Sequence, residues 1–236
     1  MRVRPLSLVI GAASAVAAVS VPTSAGAITF GVPDGTWIYC SGTLLSPTVF
    51  VTAAHCADAG ARVRVTFSAA YQIGDKVFAG TFIPDPHYRK AQSDPYDLAV
   101  VVFDQPAKGI TPARLPAAGS LDGLPKDQLF TSVGFGSYLV TQGGGARDRL
   151  YNDVRGVATG TLNSTTSTWL KISENPALGN GGTCNGDSGG PNFLGTTTVL
   201  AATTVTGDTY CNSTNVDYRL DTPSARSFLG QFVALP

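Results

Sequence analysis

Charge is scarce in this chain. Its 236 residues carry 16 Lys and Arg against 16 Asp and Glu, 14% in all and formally balanced, where an average soluble domain carries about 25%. Sparse, balanced charge gives no electrostatic footprint for nucleic acid or for an anionic membrane surface. The sequence has no basic patch with interleaved aromatics and no glycine-rich phosphate loop before a helix. Histidine is scarcer still, with only His55 and His87. The four cysteines include no Cys-x-x-Cys pair, so a zinc site lacks ligands, and neither metal nor cofactor is expected.

Long apolar runs are confined to the N-terminus. Met1-Arg2-Val3-Arg4 is a positive leader, Leu6 to Val21 is apolar and rich in small residues, and Ala25-Gly26-Ala27 fits an A-x-A cleavage site. The run is shorter than the ~20 residues a membrane span needs and meets Pro22 at once. A signal peptide over residues 1–27 is therefore expected, with a secreted, extracellular mature form that has no membrane segment. Such a compartment is oxidising and suits disulfides; four cysteines allow three pairings.

The rest of the chain is built of short apolar stretches punctuated by glycine, proline and asparagine. Strands are expected at Phe50–Ala54, Val63–Phe67, Lys76–Ile83 and Leu98–Phe103, and in a second set at Phe130–Gly134, Val157–Leu162, Trp169–Ile172, Thr197–Val205 and Tyr218–Leu220. Without strand–helix alternation, this rhythm reads as an all-β barrel or sandwich. Ala107–Lys126, rich in proline, glycine and alanine, is the expected linker between two units. Ser224–Phe232 alone has a helical pattern, with a serine after Pro223 as the expected cap.

Three motifs carry chemistry. Cys184 leads into Gly186-Asp187-Ser188-Gly189-Gly190-Pro191, which sets a hydroxyl among residues able to bend sharply. Thr52-Ala53-Ala54-His55-Cys56 offers a base, and Asp97 precedes the apolar stretch Leu98–Phe103. Gly186 to Gly190 also satisfies G-x-S-x-G, but that elbow needs its histidine after the serine, and both histidines here come before. The subtilisin order needs an aspartate before the histidine, which leaves only Asp34, in a segment with no βαβ pattern. The order His, Asp, Ser survives.

Thr52–Cys56, Asp97–Val100 and Cys184–Pro191 together resemble the trypsin/chymotrypsin family of serine proteases, in the style of its secreted bacterial members. The resemblance implies two six-stranded antiparallel β-barrels, an N-terminal one over residues 28–114 with His55 and Asp97, and a C-terminal one over 115–236 with Ser188 and a short helix. It implies Ser188 as nucleophile, His55 as base, and Asp97 as the carboxylate that orients the imidazole, with Asp94 a nearby decoy and His87 an exposed loop residue. The Gly186 and Ser188 N–H groups would form the oxyanion hole. The family's habit pairs Cys40 with Cys56 and Cys184 with Cys211. In the family, Asp187 pairs with a new α-ammonium, which here would be that of Ile28 after signal cleavage. Only eleven residues separate Ile28 from Cys40, well short of the family's usual spacing, which puts the first strand of the N-terminal barrel in question.

The position six before the serine, at the floor of the family's primary pocket, is Gly182, where trypsin-like enzymes carry aspartate. With Thr206, Gly207 and Val216 as walls, a small neutral side chain is expected there, although Asp217 could add a negative charge. The resemblance thus implies a monomeric secreted serine endopeptidase acting on protein or peptide substrates, with protein protease inhibitors as further partners. A catalytically weak protease-like binding protein and an esterase with the same triad are the competing readings.

Overall fold

The computed structural model describes residues 22–29, 38–88, 94–141, 147–151 and 153–236. The first barrel uses β1 (Ala25–Thr29), β2 (Ile38–Ser46), β3 (Val49–Thr52), β4 (Arg62–Thr66), β5 (Val77–Pro84) and β6 (Ala99–Phe103). They close in the order β1-β2-β3-β6-β5-β4. The second uses β7 (Leu129–Gly134), then, beyond a hairpin of β8 (Tyr138–Thr141) and β9 (Arg147–Leu150), β10 (Gly156–Thr165), β11 (Trp169–Ser173), β12 (Pro191–Leu194), β13 (Leu200–Gly207) and β14 (Thr214–Arg219). Its closed order is β10-β11-β14-β13-β12-β7. All the strand pairs are antiparallel, and the fold is chymotrypsin-like.

Each barrel follows from period-two alternation. In β4 the arginines at 62 and 64 face out while Val63 and Val65 are buried. Within the first barrel Phe50, Phe67, Phe78 and Phe103 pack edge-on and stacked, with centroids 5.6 to 6.4 Å apart. Burying each such side chain is worth about 1.5–3 kcal/mol. The second barrel buries Leu170 and Ile172 from β11 against Phe130 and Leu162. A third cluster joins the two: Leu98 and Val100 meet Tyr218, Phe228 and Leu229.

The connection between barrels packs as it crosses. Ala113 donates its N–H to Leu44 O at 2.8 Å, while Arg114 exchanges backbone bonds with Thr198 and Leu200 at 2.9 and 2.8 Å. The C-terminal helix α1 (Pro223–Leu229) starts one residue before the expected one. Its cap is Thr222, whose hydroxyl accepts the Ala225 N–H, and not Ser224; Pro223 opens the helix because its missing N–H would have had no partner there. Among the described residues no helix is long and apolar enough to cross a membrane.

The strand put in question by the short spacing is present. It is β1, which pairs with β2 (Ile28 opposite Cys40) and with β4 (Ile28 opposite Val65), and so closes the first barrel. The boundary expected after Ala27 therefore falls inside a strand. Ser24 and Ala25 are buried, the Ser24 carbonyl accepts the Leu44 N–H at 2.9 Å, and the Ala25 carbonyl accepts Arg155 Nη1 at 3.3 Å. N-terminal sequencing of the folded secreted protein is predicted to give a start at or before Ser24. A fully active, stable form beginning at Ile28 would contradict this account of barrel closure.

Candidate active site

His55 sits in a single turn of 3-10 helix, Ala54–Cys56, directly after β3. The Cys40–Cys56 disulfide ties this turn to β2, with Cα atoms 6.2 Å apart. Asp97 comes just before β6, after Tyr96, whose φ of 53° turns the chain sharply. Its two carboxylate oxygens meet His55 twice: Oδ1 accepts the backbone N–H at 2.9 Å, and Oδ2 lies 2.8 Å from Nδ1. Asp97 is 4% exposed. A carboxylate can only accept, so Nδ1 carries the proton and the Nε2 lone pair is left for the cleft.

The decoys lie elsewhere. Asp94 accepts the Tyr218 hydroxyl at 2.7 Å and the Tyr96 N–H at 3.2 Å. His87 is exposed and pairs with Asp85 at 3.0 Å.

Ser188 arrives from the second barrel. Its loop is folded on itself, with Asp187 N–H bonded to Cys184 O at 3.0 Å and Gly190 N–H to Asp187 O at 2.8 Å. Gly189 and Gly190 then bond Thr204 of β13 in both directions, at 2.6 and 2.9 Å. Gly189 has φ +76°, and a Cβ there would fall 2.6 Å from Ala53 N and 2.7 Å from Ser41 O in the other barrel. Only glycine allows this approach, which brings Ser188 and His55 to the wall of one cleft of about 850 Å³. The Cys184–Cys211 disulfide braces the same loop, with Cα atoms 5.2 Å apart.

Gly186 has φ +100°. The Asn185 carbonyl accepts the Ser137 N–H at 2.8 Å, and a trans peptide sets C=O and N–H on opposite sides. The Gly186 N–H therefore points away from the Ser137 loop. Among the described residues no acceptor takes the N–H of Gly186 or of Ser188.

Asp187 and Ile28, expected as an ion pair, are not brought together. The Ile28 backbone lies within β1 between Cys40 and Val65. The Asp187 carboxylate instead accepts N–H groups, Gly136 on Oδ1 and Cys184 on Oδ2, both at 2.8 Å. Burial pushes its pKa up to about 6 against the pull of the neighbouring N–H groups. It fits because residues 134 and 136 are glycines; a Cβ on Gly136 would fall 2.5 Å from the Asp187 Cγ.

The specificity side differs from expectation. Thr206 and Gly207 line the cleft with Thr183, Thr204, Val205 and Asp208, whereas Gly182 and Val216 do not. Alternation along β14 sends Asn215 and Asp217 inward and leaves Val216 opposite Lys171. Sequence reasoning missed Glu174. Its side chain fills the space a Cβ on Gly182 would need. It is 1% exposed, and its Oε1 accepts both the N–H and the hydroxyl of the cleft-lining Thr183. Burial raises its pKa and raises that of Asp217 strongly. Glu174 Oε2 and Asp217 Oδ2 are buried without a partner among the described residues. The signal was legible in principle, since Glu174 continues the inward phase of Leu170 and Ile172.

Among the described residues, the cluster of metal-ligating types is Cys40, His55 and Cys56, and its sulfurs are joined in a disulfide. Gly136→Ala is predicted to expel the Asp187 carboxylate and lower kcat by about a hundredfold or more, the scale of a lost oxyanion donor. Unchanged kcat in a folded variant would show that the carboxylate does not support the loop.

Residues 17–228 match the family model for trypsin. Among solved structures, HL collagenase superposes with a TM-score of 0.69 at 18% identity, over 89% of this chain and 92% of that one, a likeness of fold. No curated protein matches the sequence. With nearly the whole chain covered by that family match, two barrels of the matching fold and His55, Asp97 and Ser188 supplied by both, the chain belongs to the trypsin family of serine proteases.

Proposed function

We propose that this protein is a secreted serine endopeptidase that cleaves peptide bonds through an acyl-enzyme. One observation carries the reading: Asp97 holds both the ring and the backbone of His55 in the cleft that Ser188 also lines. A serine hydroxyl is a poor nucleophile unless a base takes its proton as it attacks. Ser188 Oγ adds to the peptide carbonyl while His55 Nε2 accepts its proton, and Asp97 stabilises the imidazolium. The carbonyl oxygen becomes an anion facing the uncommitted N–H groups of Gly186 and Ser188, each worth about 3 kcal/mol to the transition state. The C–N bond breaks as His55 returns the proton to the leaving amine. Water, deprotonated by the same histidine, then releases the acyl group and restores Ser188. Two disulfides and a family acting on proteins and peptides support an extracellular setting.

Intact mass before and after a fluorophosphonate tests this, with Ser188→Ala as control. A single adduct lost in the mutant is expected. A folded, disulfide-bonded protein that takes no adduct would overturn the reading and favour a binding protein; labelling with turnover of esters but not peptides would favour an esterase.

Glu174 favours a cationic side chain in the primary pocket over the small neutral one that Gly182 implies. A buried carboxylate that holds the cleft-lining Thr183 through Oε1 and leaves Oε2 unmatched is stabilised by a positive partner. Peptide nitroanilides ending in Lys or Arg should have kcat/KM at least tenfold above those ending in Leu or Ala, and Glu174→Gln should remove most of that ratio while sparing Leu. A wild-type preference for Leu would contradict it.

A further inference from the structure

Ser41, on β2 and fully buried, is where the first barrel grips the loop of the second. Its N–H donates to Ser188 O at 2.8 Å, and its carbonyl accepts the Thr52 hydroxyl at 2.8 Å. Its hydroxyl does something separate. Oγ accepts the Phe135 N–H at 3.1 Å and donates to the Gly186 carbonyl at 3.0 Å. The peptide plane after Gly186 is therefore fixed by a side chain from the opposite barrel, while the plane before it is fixed by Ser137 N–H on Asn185 O. With both planes held, the direction of the Gly186 N–H is set.

The same segment also serves Asp187. Gly136 donates to its carboxylate, and Cys184 supplies a second N–H. Among the described residues no cation pairs with Asp187. The loop thus has, from neutral donors and one hydroxyl, the anchorage that an amino-terminal ammonium was expected to give.

We propose that Ser41 is a positioning residue for the oxyanion hole, and that its hydroxyl, with the 135–137 segment, holds the hole ready without an α-ammonium at Asp187. This rests on the reading of Ser188 as nucleophile. Ser41 touches no reacting atom; it acts through the Gly186 peptide. Losing the hydroxyl leaves the Gly186 carbonyl and the Phe135 N–H without that partner, so the plane after Gly186 can turn, and the preceding plane, which carries the Gly186 N–H, is left held by Ser137 alone. Ground-state contacts with the substrate are untouched, which confines the loss to the transition state.

The test compares wild type, Ser41→Ala and a wild-type sequence with a short N-terminal extension, each with active sites counted by fluorophosphonate titration. Per active site, Ser41→Ala should lose about ten- to a hundredfold in kcat with KM within about twofold. A peptidyl boronate should bind it more weakly by a similar factor, while a product peptide binds as before. The extended protein should match wild type in kcat, with no alkaline fall near the ~8 of an α-amino group. Wild-type kcat in Ser41→Ala, or equal losses for boronate and product peptide, would overturn the positioning role. An inactive extended protein would overturn the self-held hole, and that arm stands even if Ser41→Ala does not fold. Wild type that takes no fluorophosphonate would instead sink the protease reading itself.

Discussion

The site depends on a seam a few atoms wide, where the backbone of β2 lies against the loop 186–190. Ser41 N–H on Ser188 O, and the absence of a Cβ at Gly189 over Ala53 and Ser41, set how closely Ser188, the proposed nucleophile, approaches the barrel that carries His55, the proposed base. Neither barrel alone holds both His55 and Ser188. The proposed chemistry needs reacting groups in contact within a few tenths of an ångström, so this packing is what turns two closed sheets into one cleft. The Cys40–Cys56 disulfide ties the His55 turn to β2 beside the seam, and Cys184–Cys211 braces the serine loop from the far side.

Burying carboxylates is the recurring cost of this arrangement. Asp97 is held by the His55 ring and N–H. Asp187 is solvated by backbone donors drawn in by two glycines, and burial still lifts its pKa. Glu174 and Asp217 are the incomplete cases, each with one oxygen unmatched. A buried polar atom without a partner costs about 1–3 kcal/mol. Glu174 meets that cost behind Thr183, whose own side of the cleft wall it holds through Oε1.

The motif residues were legible because their chemistry requires particular side chains at short spacing in a fixed order. Many of the strands were legible from alternation, as in Val63–Phe67 and Trp169–Ile172, while their closure into two barrels followed from the family resemblance. β1 was not: Ala25-Gly26-Ala27-Ile28-Thr29 has too few large side chains to alternate, and its role comes from pairing with β2 and β4 at long range. The hairpin β8–β9 was also missed; it forms a two-stranded sheet outside both barrels. Glu174 was missed because spacing from the serine points to Gly182, and only the folded chain shows whose side chain fills that space. Asp187 and Ile28 lie apart here because β1 holds the Ile28 backbone between β2 and β4, a long-range pairing that spacing from Cys40 does not show.

The measurement that tests the account most directly is a crystal structure of the protein with a peptidyl boronate. The account predicts boron bonded to Ser188 Oγ, with one boronate oxygen about 3 Å from the N–H groups of both Gly186 and Ser188 and His55 still held by Asp97. Boron on another atom, or a boronate oxygen turned away from those two N–H groups, would contradict it.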